Sequence, residues 1–383
     1  MKKHQYFNPS NLALGSVLLA TATSTFAGGT IQLGENKSIS VGLGIRTAFT
    51  AKENAAPSGN AYSKDFAIQN ARLYFSGSLN KEMKFTFNTD EIYGKTNVLD
   101  AIIQYEPSQA FNIWMGRMLT PADRIEMNGP FYSLNWNQYT TPLLPSDNDS
   151  LGRAGYYGRD EGVTVWGNLA KFQYAVGAFS GYRGPANKND SLLFAGRFAY
   201  NFLNMEKNPG YYTSSTYYGS LGDIFTVAVS GQQQSNGAGI AGSAANFSAA
   251  MIDVLFEKTL GGGNVFTYEG EFKDMNDKLS AAALASSSSF NLFDGTSYFS
   301  TVAFLIGKNV GEGKFQPYVR YTKNQPSSSA IGDSSLGEIG TNYVIVGHNL
   351  KFNANVTKGS ANASGAPGSN SGTTFSFGMQ EQF

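Results

Sequence analysis

From residue 39 to the C-terminus, apolar and polar side chains alternate through most of the chain. Ile39, Val41, Leu43, Ile45 and Phe49 share one parity, and Ser40, Gly42, Gly44, Arg46 and Ala48 the other. A strand points successive side chains to opposite faces, so this period predicts strands with one greasy and one polar surface. Leu73 and Phe75 oppose Arg72 and Tyr74; Phe85 and Phe87 oppose Lys84, Thr86 and Asp90; Phe194 and Phe198 oppose Arg197. Val319 and Tyr321 oppose Arg320, and Leu350 and Val356 oppose Lys351. The chain reads as about sixteen segments of roughly nine to eleven residues, the length a tilted strand needs to cross a bilayer. The last, Thr373 to Phe383, sets Phe375, Phe377, Met379 and Phe383 against Ser376, Gly378, Gln380 and Gln382.

A half-buried strand of a soluble sandwich would alternate in the same way, so the connections decide. An outer-membrane barrel has short turns at one end and long loops at the other. Here short connections (80–82, 107–110, 168–171, 259–264, 309–313 and 346–347) interleave with longer polar ones (50–65, 119–160, 181–191, 235–246, 274–296, 324–335 and 359–372). Asn201 to Asp223 breaks the rule, being long where a short turn is due. Charges in mid-strand point the same way, because an unpaired charge in a solid core costs several kcal/mol whereas a hydrated lumen accepts it. The expectation is an all-β, transmembrane antiparallel β-barrel of about 16 strands, formed by residues 28–383 as one domain.

Composition narrows the address. Lys2, Lys3 and His4 precede an apolar stretch, Leu12 to Ala22, and Thr25-Phe26-Ala27 supplies small residues at signal-peptidase spacing. Residues 1–27 are therefore expected to be a secretory signal peptide, and the rest to reach the bacterial outer membrane. No later run is apolar enough for a helical inner-membrane protein. Without cysteine there are no disulfides, thiolate metal sites or c-type haem attachment, and no metal or other cofactor is expected. Of 28 basic and 28 acidic residues, loss of Lys2 and Lys3 leaves 26 against 28, a net of −2 (26 − 28), so no nucleic-acid partner is expected.

Candidate chemistry is sparse. His348 is the one histidine after residue 27 and falls in a short turn, where a local hydrogen bond accounts for it better than general-base catalysis. Glu269 and Glu271 share a strand face, which suits a charged lumen as well as an acid/base pair; no enzyme is expected. The longest connection, 119–160, carries Tyr132, Trp136, Tyr139, Tyr156 and Tyr157 among Arg124, Arg153 and Arg159. Folding into the lumen would cover those rings and narrow the bore, while packing on the barrel rim is the alternative. Arg46, Arg72, Arg197 and Arg320 have lumen parity, with Lys84 and Lys351. Opposing them are Asp90, Asp100, Glu106, Asp253, Glu257, Glu269 and Glu271. Arg117 shares a face with Phe111, Ile113 and Met115, so it reaches the lumen only if a bulge intervenes.

Several stretches together resemble the phosphate-selective porin family. They are Asn70-Ala71-Arg72-Leu73; Gln104-Tyr105-Glu106-Pro107 with Gly116-Arg117 and Gly129-Pro130-Phe131-Tyr132; Gly158-Arg159-Asp160-Glu161-Gly162; Gln316-Pro317-Tyr318-Val319-Arg320-Tyr321; and Gly340-Thr341-Asn342-Tyr343 with Gly347-His348-Asn349. The resemblance spans most of the mature chain. It implies a homotrimer in outer-membrane lipid, a third external loop folded inward, and arginines lining the pore with lysines at its mouths. On it, Arg46, Arg72, Lys84, Arg117, Arg124, Arg197, Arg320 and Lys351 form an anion track. Tyr132, Trp136, Tyr139, Arg153, Tyr156, Tyr157 and Arg159 form the constriction, and Phe383 ends the strand that addresses the barrel-assembly machinery. The expected function is passive diffusion of small hydrophilic solutes, inorganic anions such as phosphate among them. The acidic residues keep a general, weakly selective porin open, and a barrel sheath or adhesin without its own pore is a third possibility.

Overall fold

The structure, a computed structural model, describes residues 28–92, 95–144, 158–280, 282, 293–369 and 371–383. The expected signal peptide and Arg153, Tyr156 and Tyr157 lie outside the described residues.

A short strand, β1 (Gly29–Gly34), precedes sixteen longer ones: β2 (Lys37–Lys52), β3 (Ser63–Ser78), β4 (Met83–Ile92), β5 (Lys95–Tyr105), β6 (Asn112–Leu119), β7 (Arg159–Leu169), β8 (Phe172–Phe179), β9 (Leu193–Asn201), β10 (Ile224–Ile240), β11 (Ser243–Thr259), β12 (Val265–Asn276), β13 (Gly295–Leu305), β14 (Lys314–Pro326), β15 (Ser334–Val346), β16 (Leu350–Gly359) and β17 (Thr373–Gln382). From β2 onward each pairs antiparallel with the next, and β17 returns to β2, from Thr374↔Lys52 to Gln382↔Gly44. Closure leaves no open edge, which is what lipid requires of a sheet. At the seam the Phe383 N–H donates to the Leu43 carbonyl at 2.9 Å, and the Leu43 N–H donates to the Phe383 carbonyl at 2.8 Å. β1 pairs antiparallel with β2, Thr30 opposite Ser40. Six residues with glycine at both ends carry too little alternation to announce it.

Burial is inverted relative to a protein dissolved in water. Ile103, Met115, Phe194, Phe198, Ile339 and Phe377 are exposed, while Arg72, Asp90, Arg197, Asp253, Glu269 and Lys351 are buried. Apolar outside and polar inside is the arrangement of a membrane barrel. At the end that carries both termini, rings along β9 and on neighbouring strands touch in a belt: Tyr200–Phe202 at 4.9 Å, Phe202–Phe225 at 4.9 Å, Phe225–Phe256 at 6.0 Å and Phe256–Phe266 at 6.2 Å. Such a girdle suits the lipid–water boundary, where ring faces are apolar and edges tolerate water.

One expected loop is mostly strand. β10 and β11 continue to Ile240 and Ser243, so residues 235–246 form a hairpin around Ala241 and Gly242, the latter at φ 81°. That turn needs a residue at ease with positive φ. Its Gly, Ser and Asn carried no alternation because a hairpin projecting past the bilayer has no face that must be greasy.

Candidate solute pathway

The segment after β6 makes polar contacts with side chains of six strands. A five-residue helix, α1 (Arg124–Asn128), starts at Asp123, whose carboxylate accepts from the Glu126 N–H at 3.1 Å, and is followed by a 3-10 turn over Pro130–Tyr132. The cap satisfies a backbone donor that a short helix would otherwise leave open. Lys273 of β12 lies 2.7 Å from Asp123 and 2.8 Å from Glu126. Arg320 of β14 donates to Asn135 at 2.8 Å, Asn342 of β15 to the Leu134 carbonyl at 2.8 Å, and Lys351 of β16 to the Ser133 carbonyl at 2.7 Å. Gln380 of β17 donates to the Phe131 carbonyl at 2.8 Å. Arg46 of β2 donates to the Trp136 carbonyl at 3.1 Å and stacks over its ring at 4.2 Å. Glycines make room for the rings: a Cβ on Gly378 would stand 2.3 Å from Trp136, and one on Gly44 3.0 Å from Phe131.

The expected cations divide into neutralised and unneutralised sets. Arg72 pairs with Asp90 at 2.7 Å, Arg159 with Asp100 at 3.1 Å, and Lys84 with Glu106 at 2.5 Å towards the termini end. Arg197 binds both oxygens of Asp253, the longer contact at 2.9 Å. Arg124 bridges Glu206 at 2.7 Å and Asp253 at 3.3 Å. Among the described residues no carboxylate forms a salt bridge with Lys351 or Arg320; Nε and Nη2 of Arg320 are buried without a hydrogen-bond partner, and its guanidinium lies over the Phe299 ring at 4.0 Å. Arg117 is a correction. β6 runs in register with β5 and β7 without a bulge, so Arg117 stays on the outward face, 3.5 Å from Glu161 and donating to the Val98 carbonyl at 3.1 Å.

Lys273 and Glu206 were not anticipated. Lys273 shares parity with Glu269 and Glu271 and could have been read from the alternation; Glu206 lies in irregular chain and could not. Burial alone would raise the Glu206 carboxyl, but the Arg124 guanidinium outweighs it and holds it below its ordinary range.

The connection 202–223 belongs to the same construction. Phe202 and Asn204 extend the β9–β10 ladder to Phe225 and Asp223 at 2.7 and 3.1 Å. Beyond them Tyr211, Ser214, Ser215 and Thr216 are buried. The Tyr211 hydroxyl donates to the Leu119 carbonyl at 2.6 Å, and the Thr213 N–H to the Met127 carbonyl at 3.2 Å. His348, in the turn between β15 and β16, donates from Nε2 to the Thr216 carbonyl at 2.9 Å, with its ring between Tyr132 (5.3 Å) and Tyr218 (4.9 Å). Burial, and then Lys351, push its pKa down to about 3. Between the two segments a cavity of about 40 Å³ is lined by Arg72, Arg159, Asn128, Tyr132, Asn208 and Tyr212 among others.

A closed barrel with a greasy exterior and a charged, hydrogen-bonded interior defines an outer-membrane porin. The chain belongs to the family described as phosphate-selective porin O and P, whose sequence profile matches residues 39–383. In fold it is similar to the anion-selective porin from Comamonas acidovorans (15% identity, 91% of this chain and 100% of that one, TM-score 0.58). It is likewise similar to outer-membrane expressed OmpT of Vibrio cholerae (12%, 93% and 100%, TM-score 0.58) and to Salmonella typhi OmpF complexed with daunomycin (10%, 93% and 100%, TM-score 0.58). No curated protein sequence matches the chain. The protein is a channel of the bacterial outer membrane.

Proposed function

We propose that the protein passes small hydrophilic solutes by passive diffusion, favours inorganic anions such as phosphate, and performs no catalysis. The observation that carries the anion preference is the pair of buried, inward-facing cations, Lys351 and Arg320, that pair with no carboxylate among the described residues. A guanidinium or ammonium with spare donors replaces part of an anion's hydration shell, and binding by one or two such groups stays weak enough for release. On this reading the connection 119–160 forms the constriction, its described part, 119–144, folding inward, supported by the contacts of Asn135, Trp136 and Ser133 with three strands of the wall. The end bearing the termini faces the periplasm, residues 1–27 are the export signal, and the terminal strand with Phe383 addresses the assembly machinery. Three copies associate in the lipid, as the trimer form of OmpT from Vibrio cholerae does.

A weakly selective porin is the second reading, favoured by Asp253, Glu257, Glu269 and Glu271, which place four carboxylates on the inward faces of β11 and β12. Reversal potentials in a salt gradient across a planar bilayer separate the two. Anion preference predicts a reversal potential of anion sign with chloride and partial block by phosphate, both reduced in Lys351→Gln and Arg320→Gln. Cation sign in the unaltered channel rejects the first reading. Failure of the trimer to pass ions at all rejects both.

A further inference from the structure

We infer that residues 205–222 form a strap drawn across the bore from the periplasmic end, a second constriction that limits what passes the channel; the inference rests on the channel reading above. The strap is anchored on three sides. On β6, Gly210 at φ 57° turns beneath Trp114, so closely that a Cβ would stand 2.2 Å from the ring, and Trp114 also packs against Tyr211 at 5.4 Å. On the opposite wall, Ser215 donates to Glu269 of β12 at 2.7 Å and Thr216 to Glu257 of β11 at 2.7 Å. At the third side His348 holds Thr216.

A connection that only joins two strands has no use for this. The β9–β10 ladder already closes at Asn204 and Asp223, so a two-residue turn there would complete the hairpin. Tyr211 and Thr213 to Thr216 are instead buried, with hydroxyls and a backbone N–H of the segment spent on inward carboxylates. Ordering them costs backbone entropy, which the anchoring contacts must offset. Because Asn208 and Tyr212 line the 40 Å³ cavity with Arg72 and Arg159, the strap narrows the space beside those guanidinium groups to a few water molecules.

The test is single-channel conductance of the full chain, of a variant with 205–222 replaced by Asn-Gly, and of full-length Gly210→Val, each checked for a folded barrel by heat-modifiable migration. The strap predicts a several-fold rise in conductance on excision, and a rise with weaker solute discrimination in Gly210→Val, which is both strained and crowded against Trp114. If the variants conduct as the full chain does, the strap lies clear of the path and the inference is overturned while the channel reading stands. If no form conducts, the channel reading falls and takes the strap with it. Should excision prevent folding, Gly210→Val decides alone, and unchanged conductance there overturns the inference.

Discussion

Substituting valine for Gly378 should unseat Trp136 and widen the pore. A Cβ at position 378 would lie 2.3, 2.4 and 2.6 Å from Cζ2, Cε2 and Cη2 of that ring. Carbon atoms rest about 3.5–4.0 Å apart, so the ring must retreat by more than about 1 Å. Overpacking of this kind costs about 1–3 kcal/mol, and the Arg46–Trp136 stacking at stake adds roughly 0.5–2 kcal/mol. β17 itself does not suffer, because valine suits a strand better than glycine and position 378 is not among the positive-φ glycines. The strain therefore falls on residues 131–137, not on the wall. Planar-bilayer recordings should show higher single-channel conductance. Tryptophan emission, from only three residues of that type, should shift to the red as Trp136 meets water. A folded variant with unchanged conductance and emission would refute the inward constriction.

Arg124→Ala should lower stability in detergent by about 3 kcal/mol, since it leaves the half-buried Glu206 without its cation and Asp253 with Arg197 alone; equilibrium unfolding measures it. His348 has its pKa depressed from 6.5 to about 3, so the fold favours the neutral ring. Its contribution is full above pH 6.5 and is lost as pH falls towards 3, reaching about 2 kcal/mol of loss at pH 5. The difference in unfolding between the parent and His348→Gln, followed from pH 7 to 4, isolates that part from the carboxylates. Removing Phe383 deletes both seam hydrogen bonds to Leu43 and should slow membrane assembly, read as the fraction reaching heat-modifiable form in a refolding time course.

Which way most strand side chains point was legible from sequence alone; Leu99 departs from it, buried beside Asp100 where the β4–β5 register shifts. Period two is a local property: once Phe377 faces lipid, Gly378 and Gln380 must face inward, and the same holds for Arg46, Arg72, Arg197, Arg320 and Lys351. That parity, with the interleaving of short and long connections, is enough for a closed barrel. It also left Arg117 on the greasy side, where the structure puts it against Glu161. What only tertiary structure decided is who meets whom across the bore. Arg124 and Asp253 are 129 residues apart, and Trp136 and Arg46 are 90, distances at which no periodicity speaks. The connection 202–223 has no alternation because it contacts other loops and two walls at once, so its destination follows from shape and from hydrogen bonds that exist only after the barrel has closed. Lipid imposes a rule on every strand residue. The interior, where pairing depends on which charges and hydrogen-bonding groups meet, obeys none that can be read one residue at a time.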